Sequence, residues 1–188
     1  PLNGILGMAQ AMSIDALSPA QRGRLDVLQQ SGETLLAILN DILDLSKIEA
    51  ERLELESVEF DLETLIQGAQ AAFSAVAEAK SLALKLDASA AAGRYLGDPT
   101  RLRQILYNLV SNALKFTEAG EVTVTADYVG DGLRIQVWDS GIGIAPSVLE
   151  ALFEPFTQAD TATSRQFGGT GLGLAISRRL AGLMNGSI

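Results

Sequence analysis

The stretch from Asp98 to Phe116, DPTRLRQILYNLVSNALKF, constrains the fold more than any other part of the chain. Asp98 can accept from the free N–H groups of a first helical turn, and Pro99 is tolerated at the first helical position. Beyond them Leu102, Ile105, Leu106, Leu109 and Ala113 recur at helical spacing, so the segment reads as a helix with one face committed to a core. Gln104, Asn108, Asn112 and Lys115 gather on the other side, within roughly 80° of arc at about 100° per residue. An ordinary solvent-facing stripe favours Glu and Lys. One reading is a plain surface that carries amides instead. The other is a site, because amide oxygens suit a hard cation and a lysine suits phosphate.

Composition narrows the chemistry. A chain of 188 residues with 47% hydrophobic content can bury one full domain and a smaller element. With 14 basic and 23 acidic residues the net charge is −9, which argues against non-specific nucleic-acid binding, since phosphate neutralisation needs clustered Lys and Arg. The absence of Cys excludes disulfides, thiolate metal sites and a Cys nucleophile, and the absence of His removes imidazole ligands and the commonest general base. A metal site would have to use oxygen, which favours magnesium. No apolar run approaches the ~20 residues of a membrane span, and no signal peptide is visible. The expectation is a soluble, cytosolic, acidic polypeptide, open to being part of a larger one.

Two regions follow from the patterning. Residues Pro1 to about Leu17 read as a short helix broken at Leu17-Ser18-Pro19, and a long helix runs from Pro19 to about Arg52. In the long helix Leu25, Leu28, Gly32, Leu35, Leu39 and Ile42 alternate in steps of three and four, and Ile38, Leu45 and Ile48 widen that seam. A hairpin of two helices cannot bury so broad a stripe alone, which leaves dimerisation into a four-helix bundle or packing on the rest of its own chain. The first region, 1–52, is thus expected to be an all-α hairpin that forms a homodimer.

From Leu53 onward strands and helices mix. Leu53, Leu55 and Val58–Phe60 read as a strand, Asp61 caps a helix through about Lys80, and Leu82–Ala88 alternates as a strand. Ala88–Gly93 reads as a loop before the organising helix. Gly120–Tyr128 and Leu133–Asp139 alternate as two strands joined at Gly130-Asp131-Gly132, a hairpin signal. Pro146–Leu152 is a short helix, Glu154–Gly169 a long polar loop of the kind that serves function, and Thr170–Leu183 a final helix. Region 53–188 is therefore expected to be an α+β sandwich, with helices on one face of a mixed sheet.

Three further segments carry chemistry. Asp139-Ser140-Gly141-Ile142-Gly143 ends a strand, where a carboxylate can accept from an exocyclic amine and glycines let backbone approach a ligand. Gly168-Gly169-Thr170-Gly171-Leu172-Gly173 precedes a helix, so free N–H groups and the helix dipole favour a bound anion. Between them the loop Glu154–Gly169, with Phe153, Phe156 and Arg165, has room to close over a nucleotide. A P-loop is absent, and neither GIGIAP nor GTGLGL satisfies the dinucleotide spacing GxGxxG.

Together, Asn108–Phe116 (NLVSNALKF), Asp139–Gly143 (DSGIG), Phe153–Phe156 (FEPF) and Gly169–Gly173 (GTGLG) resemble the Asn, first glycine, Phe and second glycine boxes of sensor histidine kinases. The run FEPFTQAD…GGTGLGLAIS is most similar to hybrid-type members. The helical hairpin resembles their dimerisation and histidine-phosphotransfer domain, with PLNGILGM as the tail of the histidine box. The resemblance implies a Bergerat-type ATP-binding fold from about Leu53, related to that of gyrase-like ATPases. It implies that Asn108 holds magnesium, that Asn112 and Lys115 contact phosphate or nucleotide, and that Phe116 packs near the base. Asp139 would bind the adenine amine, with Gly141 and Gly143 shaping that wall. Gly169, Thr170, Gly171, Leu172 and Gly173 would face phosphate, and Arg165 would reach the outer phosphates.

The implied activity is an ATP-dependent protein-histidine kinase that passes its phosphoryl group to an aspartate of a response-regulator receiver domain, with ATP and Mg2+ as cofactors. Such transfer is mostly positioning and charge stabilisation. Gyrase-type ATPases carry a water-activating glutamate where this chain has Gln104, a poor base, so slow hydrolysis is expected. Against the family pattern, the phospho-acceptor His and the acidic residue after it are expected roughly five residues upstream of Pro1, and the last sheet strand after Met184–Ile188. The polypeptide as given is expected not to autophosphorylate, and any membrane attachment is expected from parts outside it. Two rivals remain at this point: an ATPase of the same superfamily, and a dimeric scaffold or phosphatase partner.

Overall fold

In the computed structural model, which describes residues 1–130, 132–149, 151–157 and 170–188, the longest element begins at Ser18. The Ser18 hydroxyl accepts from the Gln21 N–H and the Gln21 side chain accepts from the Ser18 N–H, a reciprocal cap, with Pro19 as first helical residue. Helix α2 then runs Pro19–Glu49, and α1 covers Leu2–Met12. Both end sooner than the sequence suggests. At α1 the Ser13 hydroxyl donates to the Gln10 carbonyl and takes a terminal acceptor out of the helical ladder.

These helices make up one unit, Pro1–Leu53; Glu54–Ile188 is the other. Within the first, Gly32 lets α1 lie close, since a Cβ there would sit 2.6 Å from the Leu6 side chain. Only Ala9, Leu25 and Leu45 are buried apolar residues of this hairpin. Leu28, Leu35, Leu39 and Ile42 of α2 remain 42–48% exposed, as do Ile5, Met8 and Met12 of α1 at 48–68%.

In the second unit, strand β1 (Val58–Asp61) leads into helix α3 (Leu62–Ala79), whose N-cap Asp61 accepts from the Thr64 N–H at 2.7 Å. Strand β2 (Ala83–Asp87) follows, then β3 (Arg94–Gly97) and helix α4 (Pro99–Phe116). Strands β4 (Glu121–Val129) and β5 (Gly132–Asp139) form the long hairpin, paired from Val122↔Asp139 to Val129↔Gly132. Gly130 sits there at φ +59°, open to glycine; Asp131 lies outside the described residues. Helix α5 (Pro146–Leu149), a 3-10 turn at Ala151–Phe153 and helix α6 (Gly173–Leu183) complete the order.

The mixed sheet has the order β2-β4-β5, parallel then antiparallel. Its inner face meets α3 and α4 in one core that includes Leu62, Ile66, Leu106, Val110, Leu114, Val122 and Val124, each at most 2% exposed. This is the α+β sandwich expected. Three details differ. Arg94–Gly97, between the expected loop and the organising helix, is a strand that pairs antiparallel with β1, and the Phe60 and Tyr95 rings stack at 6.0 Å. Leu53 and Leu55 stay outside that strand. The last helix begins at Gly173, not Thr170, because Gly171 takes φ +69°, which a right-handed helix cannot contain. No helix among the described residues is long and apolar enough to cross a membrane.

Candidate functional site

Helix α4 supplies the centre of the site. Asp98 Oδ1 accepts from the Arg101 N–H and Oδ2 from the Glu56 N–H, both at 3.0 Å, which fixes where α4 starts. Ile105, Leu106, Val110, Ala113 and Leu114 turn into the core. Gln104, Asn108, Asn112 and Lys115 are all half-buried, whereas Arg103 and Ser111 of the same helix are exposed. The amide stripe is therefore not the solvent face. It lies under other elements of the fold.

One of those elements is α6. A Cβ on Gly173 would sit 2.3 Å from Asn108 Oδ1, so only glycine allows the first turn of α6 so near that amide. Asn108 Nδ2 donates to Ser177 Oγ at 2.9 Å, and Asn112 Nδ2 donates to Asn108 Oδ1 at 3.3 Å. The N-cap residue Leu172 makes no side-chain cap bond among the described residues, so the α6 dipole and first N–H groups point to the space beside Asn108. Just before the helix, Gly171 at φ +69° makes the turn, and its carbonyl accepts from the Phe156 N–H at 3.1 Å. The Leu172 N–H is engaged locally, donating to Thr170 Oγ1 at 3.1 Å.

The Asp139 loop is tied to the other end of α4. The Ile142 N–H donates to the Phe116 carbonyl at 3.3 Å, and the Gly141 N–H donates to Asp139 Oδ1 at 2.9 Å. A Cβ on Gly141 would lie 2.5 Å from the Phe116 carbonyl oxygen and 2.8 Å from Asp139 Oδ1. That glycine is required by close approach, while Gly143 is required by its φ of +69° with open space around it. Ser140 Oγ accepts from the Glu121 N–H at 2.9 Å and latches the loop to the start of β4. Asp139 itself is exposed at the sheet edge. Lys115 Nζ sits 4.8 Å from the Phe116 ring centre, and partial burial pushes its pKa below the usual 10.5.

The site thus gathers amide oxygens, an ammonium, an open helix N-terminus and an edge carboxylate at and around one helix. Residues 97–188 match the model of the histidine kinase-, DNA gyrase B- and HSP90-like ATPases, and residues 1–51 match that of the His Kinase A (phospho-acceptor) domain. The whole chain is 45% identical, over 194 aligned positions, to the sensor histidine kinase GacS of Pseudomonas protegens, covering 21% of it. The chain belongs to the sensor histidine kinases. The solved structure of full-length ShkA in complex with AMPPNP superposes with a TM-score of 0.81 at 39% identity, over 98% of this chain and 38% of ShkA. Histidine kinase ThkA, solved in complex with response regulator protein TrrA, gives 0.68 at 27% identity, over 99% of this chain and 52% of that one. The chain spans about a fifth of the length of the curated kinase it matches, 21%.

Of the residues expected to form the kinase site, Asn108, Asn112, Lys115 and Phe116 lie along α4, with Gly173 against Asn108 and the Asp139–Gly143 loop bonded to Phe116. Thr170, Gly171 and Leu172 form the turn that feeds α6. Arg165 and Gly169 lie outside the described residues. Among the described residues no cluster of acidic side chains could hold a metal alone. The oxygen donor at hand is the Asn108 amide, which fits magnesium that draws its other ligands from phosphates and water. Sequence reasoning passed over Ser177, a serine on an apolar helix face, whose only advance signal was its position one turn after Gly173.

Proposed function

We propose that this chain is the catalytic core of a two-component kinase that binds Mg-ATP between α4 and the start of α6 and transfers the γ-phosphoryl group to a histidine. The observation that carries this reading is the contact of Gly173 with Asn108, which brings an uncapped helix N-terminus beside an amide oxygen and Lys115 on the same helix face as that amide. The α6 N–H groups and Lys115 would hold phosphate oxygens, Asn108 Oδ1 would hold magnesium, and Asp139 would accept from the adenine amine. Bound magnesium would neutralise charge developing between the outer phosphates. Phe116 would pack beside the base, Gly169 would present its N–H to phosphate, and Arg165 would meet the outer phosphates.

In the transfer, the bond from the γ-phosphorus to its bridging oxygen breaks, ADP leaves, and a phosphorus–nitrogen bond forms on imidazole. The chain contains no histidine, so the acceptor imidazole belongs to a residue outside these 188. The phosphoryl group would next pass to an aspartate of a receiver domain, as in hybrid-type kinases. The exposed stripe of α1 and α2 supports homodimerisation through residues 1–52. ATP is a cytoplasmic substrate, so this part would act there, with membrane attachment only through other parts.

Gln104 favours transfer over hydrolysis. Its Oε1 accepts from Arg101 Nη1 at 2.9 Å, and a neutral amide cannot take a proton from water at neutral pH. The test is to incubate the full-length parent with labelled ATP and magnesium. Acid-labile, alkali-stable label on the protein, lost with Asp139→Asn, is expected. Steady phosphate release without labelled protein would assign an ATPase, and tight ATP binding with neither would assign a scaffold or phosphatase partner.

A further inference from the structure

Three polar side chains are buried among the described residues: Asp98, Thr117 and Ser177. The first two have local structural reasons. Asp98 accepts at the start of α4, and the Thr117 hydroxyl donates back to the Ala113 carbonyl at 2.7 Å. Ser177 is different. It is 2% exposed, it sits on the apolar face of α6 beside Ile176 and Leu180 in sequence, and its partner is the side chain of Asn108 on another helix. A buried hydroxyl costs free energy unless it is hydrogen-bonded, and alanine would fill the same place without that cost.

We propose that Ser177 is a positioning residue for metal-assisted nucleotide binding, accepting from Asn108 Nδ2 so that Asn108 Oδ1 is held toward the cation. This rests on the reading of Asn108 as the magnesium ligand. An Asn amide turned by half a rotation would present its NH2 group where the oxygen should be, and N–H groups repel a cation. Two hydrogen bonds hold the amide at its two ends: Nδ2 to Ser177 at 2.9 Å, and Asn112 Nδ2 to Oδ1 at 3.3 Å. The oxygen has two lone pairs, so one remains for the metal after the Asn112 bond. Gly173 and Ser177 are one turn apart, hence on one stripe of α6: the glycine makes room for the amide and the serine anchors it.

The test measures affinity for a non-hydrolysable ATP analogue, without metal and with saturating magnesium, in the wild-type chain, Ser177→Ala, Asn108→Ala and the double variant. Ser177→Ala is expected to cut the gain in affinity from magnesium about tenfold, the scale of one buried hydrogen bond left unmade, with metal-free affinity unchanged. In the Asn108→Ala background the same change should do nothing, because its effect passes through that amide. Ser177→Thr keeps the oxygen and should retain the magnesium gain, which guards against a variant that merely fails to fold.

The outcomes separate cleanly. If Asn108→Ala leaves the magnesium gain intact, the Asn108 reading fails and this proposal falls with it. If Asn108→Ala removes the gain but Ser177→Ala does not reduce it, only the positioning role of Ser177 is overturned. Equal losses with and without metal, or a loss that persists in the Asn108→Ala background, would show a structural role and overturn it as well.

Discussion

At the residue scale, two glycines one box apart are needed for different reasons, and the difference is measurable. Gly173→Ala puts a Cβ 2.3 Å from Asn108 Oδ1, so the amide must turn away. Turning that amide leaves the buried Ser177 hydroxyl without its partner, a stability cost of about 1–3 kcal/mol. The expected result is a lowered unfolding midpoint together with at least about a tenfold loss of magnesium-dependent nucleotide affinity. Gly143→Ala meets nothing within 4 Å but forces a side chain into φ +69°, so it should cost about 1 kcal/mol of stability. Calorimetry of binding and of unfolding on both variants tests the contrast.

Lys115 gives a pH signature. Burial lowers its folded pKa below 10.5, so the unfolded chain holds that proton more tightly. The resulting penalty is present below the lowered pKa and disappears as the pH rises past the ordinary value. A bound triphosphate favours the ammonium and raises the pKa again, so nucleotide binding should take up protons just below pH 10.5. Binding heats measured in two buffers of different ionisation enthalpy should differ there, and Lys115→Met should make them agree.

At the element scale, α4 depends on its first residue more than on its length. Asp98 uses both carboxylate oxygens, one on its own helix at Arg101 and one on Glu56. Asp98→Ala would leave both N–H groups unpaired, an expected loss of about 2–3 kcal/mol in denaturant unfolding. Asp98→Asn keeps one acceptor and should fall between the two. α4 was the most legible element, because its cap, proline, apolar spacing and amide stripe are all local. β3 was illegible for the opposite reason. Its four residues read only as Arg-Tyr-Leu-Gly, with Leu96 76% exposed, and its partner β1 lies more than thirty residues earlier in register with it.

At the scale of the whole molecule, the hairpin leaves a stripe of Leu28, Leu35, Leu39 and Ile42 uncovered in a single copy. Burying one leucine contributes about 1.5–3 kcal/mol, so a charge placed there should weaken self-association steeply. Leu39→Glu is expected to raise the dimer dissociation constant at least about tenfold in sedimentation, while helicity by circular dichroism is retained. A variant that dimerises as before would move the interface off this stripe.

Local chemistry was enough to read most helix starts and the β4–β5 hairpin, because caps, periodicity and glycine turns act over a few residues. The family resemblance rested on short motifs. Tertiary structure alone decided which of those motifs meet: Ile142 bonded to the Phe116 carbonyl, Gly173 against Asn108, and Ser177 under the Asn108 amide across 69 positions of sequence. Such contacts depend on how α4 and α6 pack, and a packing register is set by the shapes of two surfaces together. No spacing within either helix encodes it.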